Sequence, residues 1–196
     1  MEPDEEPRGR RFTRTKTTEV IPLGGGEYRL EARLTDLSRG GNYGPAETDG
    51  GDASSKVIHD VALTGRVRGP GLEITELDVQ TLTVPYASCP FVLPALQQLI
   101  GKELMHGWRR TVLDLSGGTL GCTHVNTLLL GLTEMQTMVI FLKMNERLAY
   151  TAENRASGDW MSAGLPVAPE LGDACYSLRR GGPVLAHVDK DEPGPV

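Results

Sequence analysis

The sequence predicts an α+β fold: an antiparallel sheet from the first half of the chain, packed against one long buried helix and one shorter helix. Three observations carry that reading. Apolar and polar residues alternate over residues 26–36 and again from Val57, which is the period-2 pattern of half-buried strands. The turn RGPG at 68–71 joins the second of these runs to a third, as in a hairpin. After Pro85 the period becomes helical, and residues 123–145 are apolar on several sides.

The elements follow in chain order. Residues 1–16 are charged, contain proline and lack a period, so they are expected to form a disordered arm. A single globular domain is expected over 17–188, with a frayed tail at 189–196. In GEYRLEARLTD, Tyr28, Leu30, Ala32 and Leu34 face a core while Glu27, Arg29, Glu31 and Arg33 face solvent. The Gly-, Ser- and Asp-rich stretch 38–55 has almost nothing to bury and reads as a long loop, a length often used for lids.

VIHDVALTGRV places Val57, His59, Val61, Leu63 and Val67 on one face, so His59 points inward and Asp60 outward, where a structural salt bridge or a loop anchor is its expected role. In LEITELDVQTLTV the apolar phase slips by one residue, which predicts a β-bulge near Thr75. Leu93, Leu96, Ile100 and Leu104 recur at helical spacing, giving the shorter helix near 92–105. WRRTVLDL at 108–115 reads as strand, 123–145 as the long helix, 154–173 as irregular, and CYSLRRGGPVLAHV as two short strands.

The net charge of −6 argues against a broad phosphate-binding surface, so nucleic acid is not an expected partner. Nothing at the N-terminus resembles a signal peptide, and Thr133, Glu134, Gln136 and Thr137 interrupt the longest apolar stretch. The expectation is a cytoplasmic protein without a membrane span. Three cysteines, Cys89, Cys122 and Cys175, are too few and too dispersed for a disulfide framework.

The chemistry-bearing residues gather around GGTLGCTHVN. Cys122 and His124 stand at the first turn of the long helix, where unpaired backbone N–H groups and the helix dipole favour an anion. The alternative is a small packed thiol and a capping polar residue. His59 is either a core histidine with one hydrogen bond or a third functional group, and Cys89 lies in the loop entering the shorter helix. Three thiols and two imidazoles are the side chains zinc takes, yet there is no C-x-x-C pair. Within a regular helix Cys122 and His124 would also point about 200° apart.

The ordered set His59-Asp60, Pro85-Tyr86-x-x-Cys89, Leu99-Ile100-Gly101, Gly121-Cys122-Thr123-His124, Gln136 and Cys175 resembles the bacterial domain-of-unknown-function family 2889, from about Phe12 to Val188. The resemblance implies a soluble bacterial domain and joins His59, Cys89, Cys122, His124 and Cys175 into one set. It implies no reaction. The chain departs from the family pattern at Val125, where leucine is expected, and in the loop before Val57. The order of strand, thiol and helix is also similar to iron–sulfur scaffold proteins of the IscU kind, a likeness of fold alone.

The functional expectation is an enzyme acting on a small apolar or aromatic metabolite, with His59, Cys89, Cys122 and His124 as catalytic residues and no cofactor. Lyase, isomerase and hydrolase chemistry all suit a thiol or imidazole at a helix N-terminus. One rival is a zinc or iron–sulfur module using the same side chains. Another is a noncatalytic ligand-binding or dimerisation domain, since the long helix is apolar on more sides than one core face needs; a homodimer would use that surplus.

Overall fold

The computed structural model of the protein describes residues 10–40, 55–186 and 188. Four strands, β1 (Arg11–Gly24), β2 (Glu27–Arg39), β3 (Ser55–Arg68) and β4 (Glu73–Thr83), form one antiparallel sheet in sequence order. Helices α1 (Trp108–Ser116), α2 (Thr123–Arg147), α3 (Ala152–Ser157) and α4 (Asp159–Gly164) follow. The class is α+β, with the long helix α2 packed on the sheet. The chain divides into two compact units, residues 1–136 and 137–196, a division that the reading of 17–188 as one domain does not contain.

In the first unit the alternation of β2 does what its pattern requires. Tyr28, Leu30, Ala32 and Leu34 are buried, as are Val61, Leu63 and Val67 of β3. Val125, Leu128, Leu129, Leu132 and Met135 of α2 are buried too, each such side chain contributing on the order of 1.5–3 kcal/mol. By length and composition alone α2 would pass as a bilayer span, but core helices pass the same test. The bulge expected near Thr75 is present: Val67 pairs with Ile74 and Arg66 with Glu76, leaving Thr75 unmatched. A second bulge was not foreseen. Leu37 pairs with Val57 and Asp36 with His59, so Ile58 is the extra residue and Val57 turns outward.

Three expectations about this unit need correction. The strand begins at Arg11, so residues 11–16 are not a disordered arm. Their charges have partners: Arg14 binds Asp36 and Lys16 binds Glu134. Residues 108–116 form a helix rather than a strand, because Trp108, Val112 and Ser116 recur every fourth position on a buried face. Trp108 also donates its indole N–H to the Leu129 carbonyl at 2.6 Å. The shorter helix is a 3-10 helix over Cys89–Leu99, in which Leu96 and Leu99 are three apart and buried while Ile100 is exposed. Residues 100–104 instead run along the start of β4, with Gly101 donating to the Ile74 carbonyl and Leu104 to that of Leu72.

The second unit has its own core of Ile140, Met144, Trp160, Met161, Ala168 and Leu185. The stretch expected to be irregular holds α3 and α4, while the strands expected around 180–182 are turns. His187, the tail at 189–196 and most of the loop at 38–55 lie outside the described residues.

A chain beginning at Thr17 would lose Arg14 and Lys16. It is expected to be less stable by about 1.5–3 kcal/mol from the Arg14–Asp36 hydrogen bonds alone, read as a lower urea midpoint. An unchanged midpoint would show that the leading half of β1 adds nothing.

Candidate functional site

The inward face of β2 does not end at Leu34. Two residues on, Asp36 continues the same face and is fully buried. Its carboxylate lies on one rung of the sheet between Arg14 of β1 and His59 of β3, each paired with it directly across the strands. Arg14 donates Nε to Oδ1 at 2.7 Å and Nη2 to Oδ2 at 2.8 Å, a bidentate pair. His59 Nδ1 lies 3.0 Å from Oδ2, and His124 Nε2, brought in by α2, lies 3.3 Å from the same oxygen. The two imidazole rings stack with centroids 3.5 Å apart and planes 25° apart. Asp60 faces the other way, where Arg33 binds it in the salt bridge expected for it.

The G-C-T-H segment is positioned by close packing at the helix entry. A Cβ on Gly121 would lie 2.0 Å from the Ser116 carbonyl oxygen, so only glycine lets the chain pass the end of α1 this closely. Asn126, in the first turn of α2, donates Nδ2 to that same carbonyl and accepts from the Ser116 hydroxyl at 2.7 Å. The Cys122 carbonyl accepts the Asn126 N–H at 2.8 Å, which makes Cys122 the N-cap, and α2 itself starts at Thr123. Lying outside the regular helix, Cys122 escapes the 200° divergence that would otherwise part it from His124. Its Sγ lies 3.8 Å from His124 Nδ1.

A nitrogen facing a carboxylate is held as N–H, since two lone pairs would repel. That assigns the proton of neutral His124 to Nε2, toward Asp36, and leaves Nδ1 as an acceptor toward the Cys122 thiol. Arg14 hydrogen bonding lowers the Asp36 pKa from its ordinary value, more strongly than burial raises it; the Arg14 charge, the His124 charge and the His59 hydrogen bond add to the lowering. Burial, then the His59 and Arg14 charges, lower the His124 pKa against the attraction of Asp36, so the ring favours its neutral form.

Of the residues expected from sequence, His59, Cys122 and His124 come together. Cys89 opens the 3-10 helix, half-buried, and among the described residues its thiol has no hydrogen bond to the imidazoles. Cys175 is exposed and belongs to the second unit. Asp36 and Arg14 were missed, although the period of β2 pointed to Asp36. His106 is exposed, as isolated polar residues near element ends usually are. An open groove of about 580 Å³ between Trp108, Leu113, Thr133 and Gln136 is lined by none of the four expected site residues.

Asp36, His59 and His124 are side chains of metal-binding type, with candidate ligand atoms within 4.8 Å of one another. The arrangement does not favour an ion. Arg14 already neutralises the carboxylate, and Arg14 Nη2, His59 Nδ1 and His124 Nε2 all lie against Oδ2, the oxygen an ion held by the two rings would have to share. An ion bound by both rings would also have to lie near both ring planes, which face-to-face stacking prevents unless one ring turns.

Fold and site together define an α+β domain carrying a carboxylate–imidazole–thiol alignment at a helix entry. The chain belongs to the DUF2889 family, described as protein of unknown function, whose model matches residues 12–138. That match is shorter than the stretch to Val188 expected from the resemblance, and it leaves Cys175 outside. No curated protein and no solved structure matches the chain.

Two losses of stability are expected as pH falls. His124 has a folded pKa below its ordinary 6.5, so its contribution is present above that value and lost as pH falls from it toward the folded value. Asp36 has a folded pKa below 3.8, so its contribution is present above 3.8 and lost as pH falls through the lower folded value. Urea midpoints between pH 8 and pH 3 check both: His124→Gln should flatten the first fall and Asp36→Asn the second.

Proposed function

We propose that the protein is an enzyme in which Cys122 is the nucleophile and His124 its general base, with Asp36, clamped by Arg14, orienting the imidazole. The observation that carries this reading is the alignment of Cys122 Sγ, His124 Nδ1, His124 Nε2 and Asp36 Oδ2. The thiol-to-nitrogen distance of 3.8 Å is long for a working hydrogen bond, and such bonds tighten when substrate arrives. The backbone N–H groups of Thr123, His124 and Val125 precede the first intrahelical bond, from Asn126, and would serve the developing oxyanion.

Of lyase, isomerase and hydrolase chemistry, hydrolysis or acyl transfer uses every part of this alignment. The thiol proton passes to Nδ1 as sulfur adds to a carbonyl carbon. Collapse of the oxyanion then expels the leaving group, which takes that proton. Water, deprotonated at the same nitrogen, releases the acid and restores the thiol. A small apolar or aromatic substrate is supported by Tyr86 and Phe91, exposed in the segment that leaves β4 just after Thr83, the residue paired with Asp60 beside His59. Cys89 lies in that segment as a second thiol which the relay does not need. No cofactor enters this chemistry, and a cytoplasmic protein with neither nucleic acid nor membrane as partner is part of the same proposal.

The test is hydrolysis of nitrophenyl esters and thioesters of short aliphatic and aromatic acids. Cys122→Ser and His124→Ala should stay folded and lose roughly 10²- to 10⁴-fold in rate, while Cys175→Ser should match wild type. Wild-type rates in both variants would sink the thiol reading. Stoichiometric zinc or iron in purified protein, lost together with the fold in Cys122→Ser, would establish the metal module in its place.

A further inference from the structure

His59 is the one member of the cluster that the thiol relay leaves without a task. Its ring lies against His124 at 3.5 Å, and its Nδ1 binds the very oxygen that His124 Nε2 faces. One hydrogen bond satisfies a core histidine, which has no need to share its acceptor oxygen with a second imidazole.

Counting charge shows what the stack does. With both rings neutral, Arg14 and Asp36 cancel. One proton gives the cluster a net charge of +1, and a second would set two cations face to face. Both rings are less than a fifth exposed, at 14% and 18%, so water screens that repulsion poorly. The groups facing the pair are Arg14 from β1, Asp36 from β2 and Cys122 at the entry to α2. Asp60 lies on the opposite face of β3, bound to Arg33, and Lys16 is bound to Glu134.

We infer that His59 and His124 act as one proton-accepting unit, in which His59 keeps His124 free of a proton and therefore open to the Cys122 thiol. His59 is thus a positioning residue that acts through His124. The functional consequence rests on the thiol reading proposed above, whereas the coupling between the rings does not. The lowering of the His124 pKa, in which the His59 charge ranks second after burial, agrees with the geometry.

The experiment follows the histidine ring resonances of the folded, full-length protein by NMR from pH 8 to pH 4. Exposed His106 serves as an internal reference, and His59→Gln and His59→Phe are the variants. Phenylalanine keeps a stacked ring without a charge, so a purely structural role would leave its His124 titration as in wild type. Coupling instead predicts that both variants raise the His124 midpoint by roughly 0.7 of a unit or more, the shift that two unit charges about 4 Å apart produce even in water. In wild type the pair should titrate in two steps, with His124 the second ring to take up a proton. Unchanged midpoints in the variants would overturn the inference. Should neither variant fold, a wild-type His124 that takes up its proton before His59 does would overturn it equally. The thiol reading fails separately if ester hydrolysis is indifferent to His124→Ala while the coupling persists.

Discussion

A single buried carboxylate organises the first unit. Asp36 has no exposed surface, and an isolated charge in such a place would be driven to its neutral form. It stays ionised because Arg14 meets both its oxygens from the neighbouring strand. Once ionised, it can orient His59 from the strand on its other side and His124 from the helix above. Three strands and a helix therefore meet at one group, whose charge is held chiefly by Arg14. Arg14 is itself partly exposed, so screening moderates the strength of the pair, but its fork geometry fixes which way the carboxylate faces.

Much of the fold could be read from the sequence where burial sets a period. The alternation of β2 and β3, the bulge at Thr75 and the extent of α2 all follow from which side chains must leave water. The reading failed where charge, rather than apolar area, decided the outcome. Residues 11–16 carry no apolar period, and they are ordered by the ladder to β2 and by acidic partners 22 and 118 residues away, which local composition does not reveal. Asp36 was hidden for the same reason: a polar residue ending an apolar alternation looks like an exit to solvent. WRRTVLDL was misread because three β-compatible residues outweighed an i, i+4 pattern that spans only Trp108, Val112 and Ser116.

The candidate site shows the same division. His59, Cys122 and His124 were legible as residue types near element ends, but the geometry that joins two of them contradicts the regular helix from which they were judged. Cys122 reaches His124 because it is the cap and not the first helical residue. That placement depends on Gly121, which passes the Ser116 carbonyl where no side chain fits, and on Asn126, which binds the same carbonyl from inside the helix. The specific part of G-C-T-H is therefore mechanical as much as chemical: glycine sets the approach, and the cap turns the thiol toward the imidazole.

The division of the chain agrees with this account of the chemistry. Arg14, Asp36, His59, Cys122 and His124 all fall within residues 1–136, and the family match ends at residue 138. The second unit has its own apolar core, built around Met144, Trp160 and Met161, and contributes none of the groups in the carboxylate–imidazole cluster. Its one cysteine, Cys175, is exposed and outside the match, so it has neither the neighbours nor the burial that set Cys122 apart. A thiol becomes a candidate nucleophile through what surrounds it, and among the described residues only Cys122 of the three thiols has an oriented imidazole within reach.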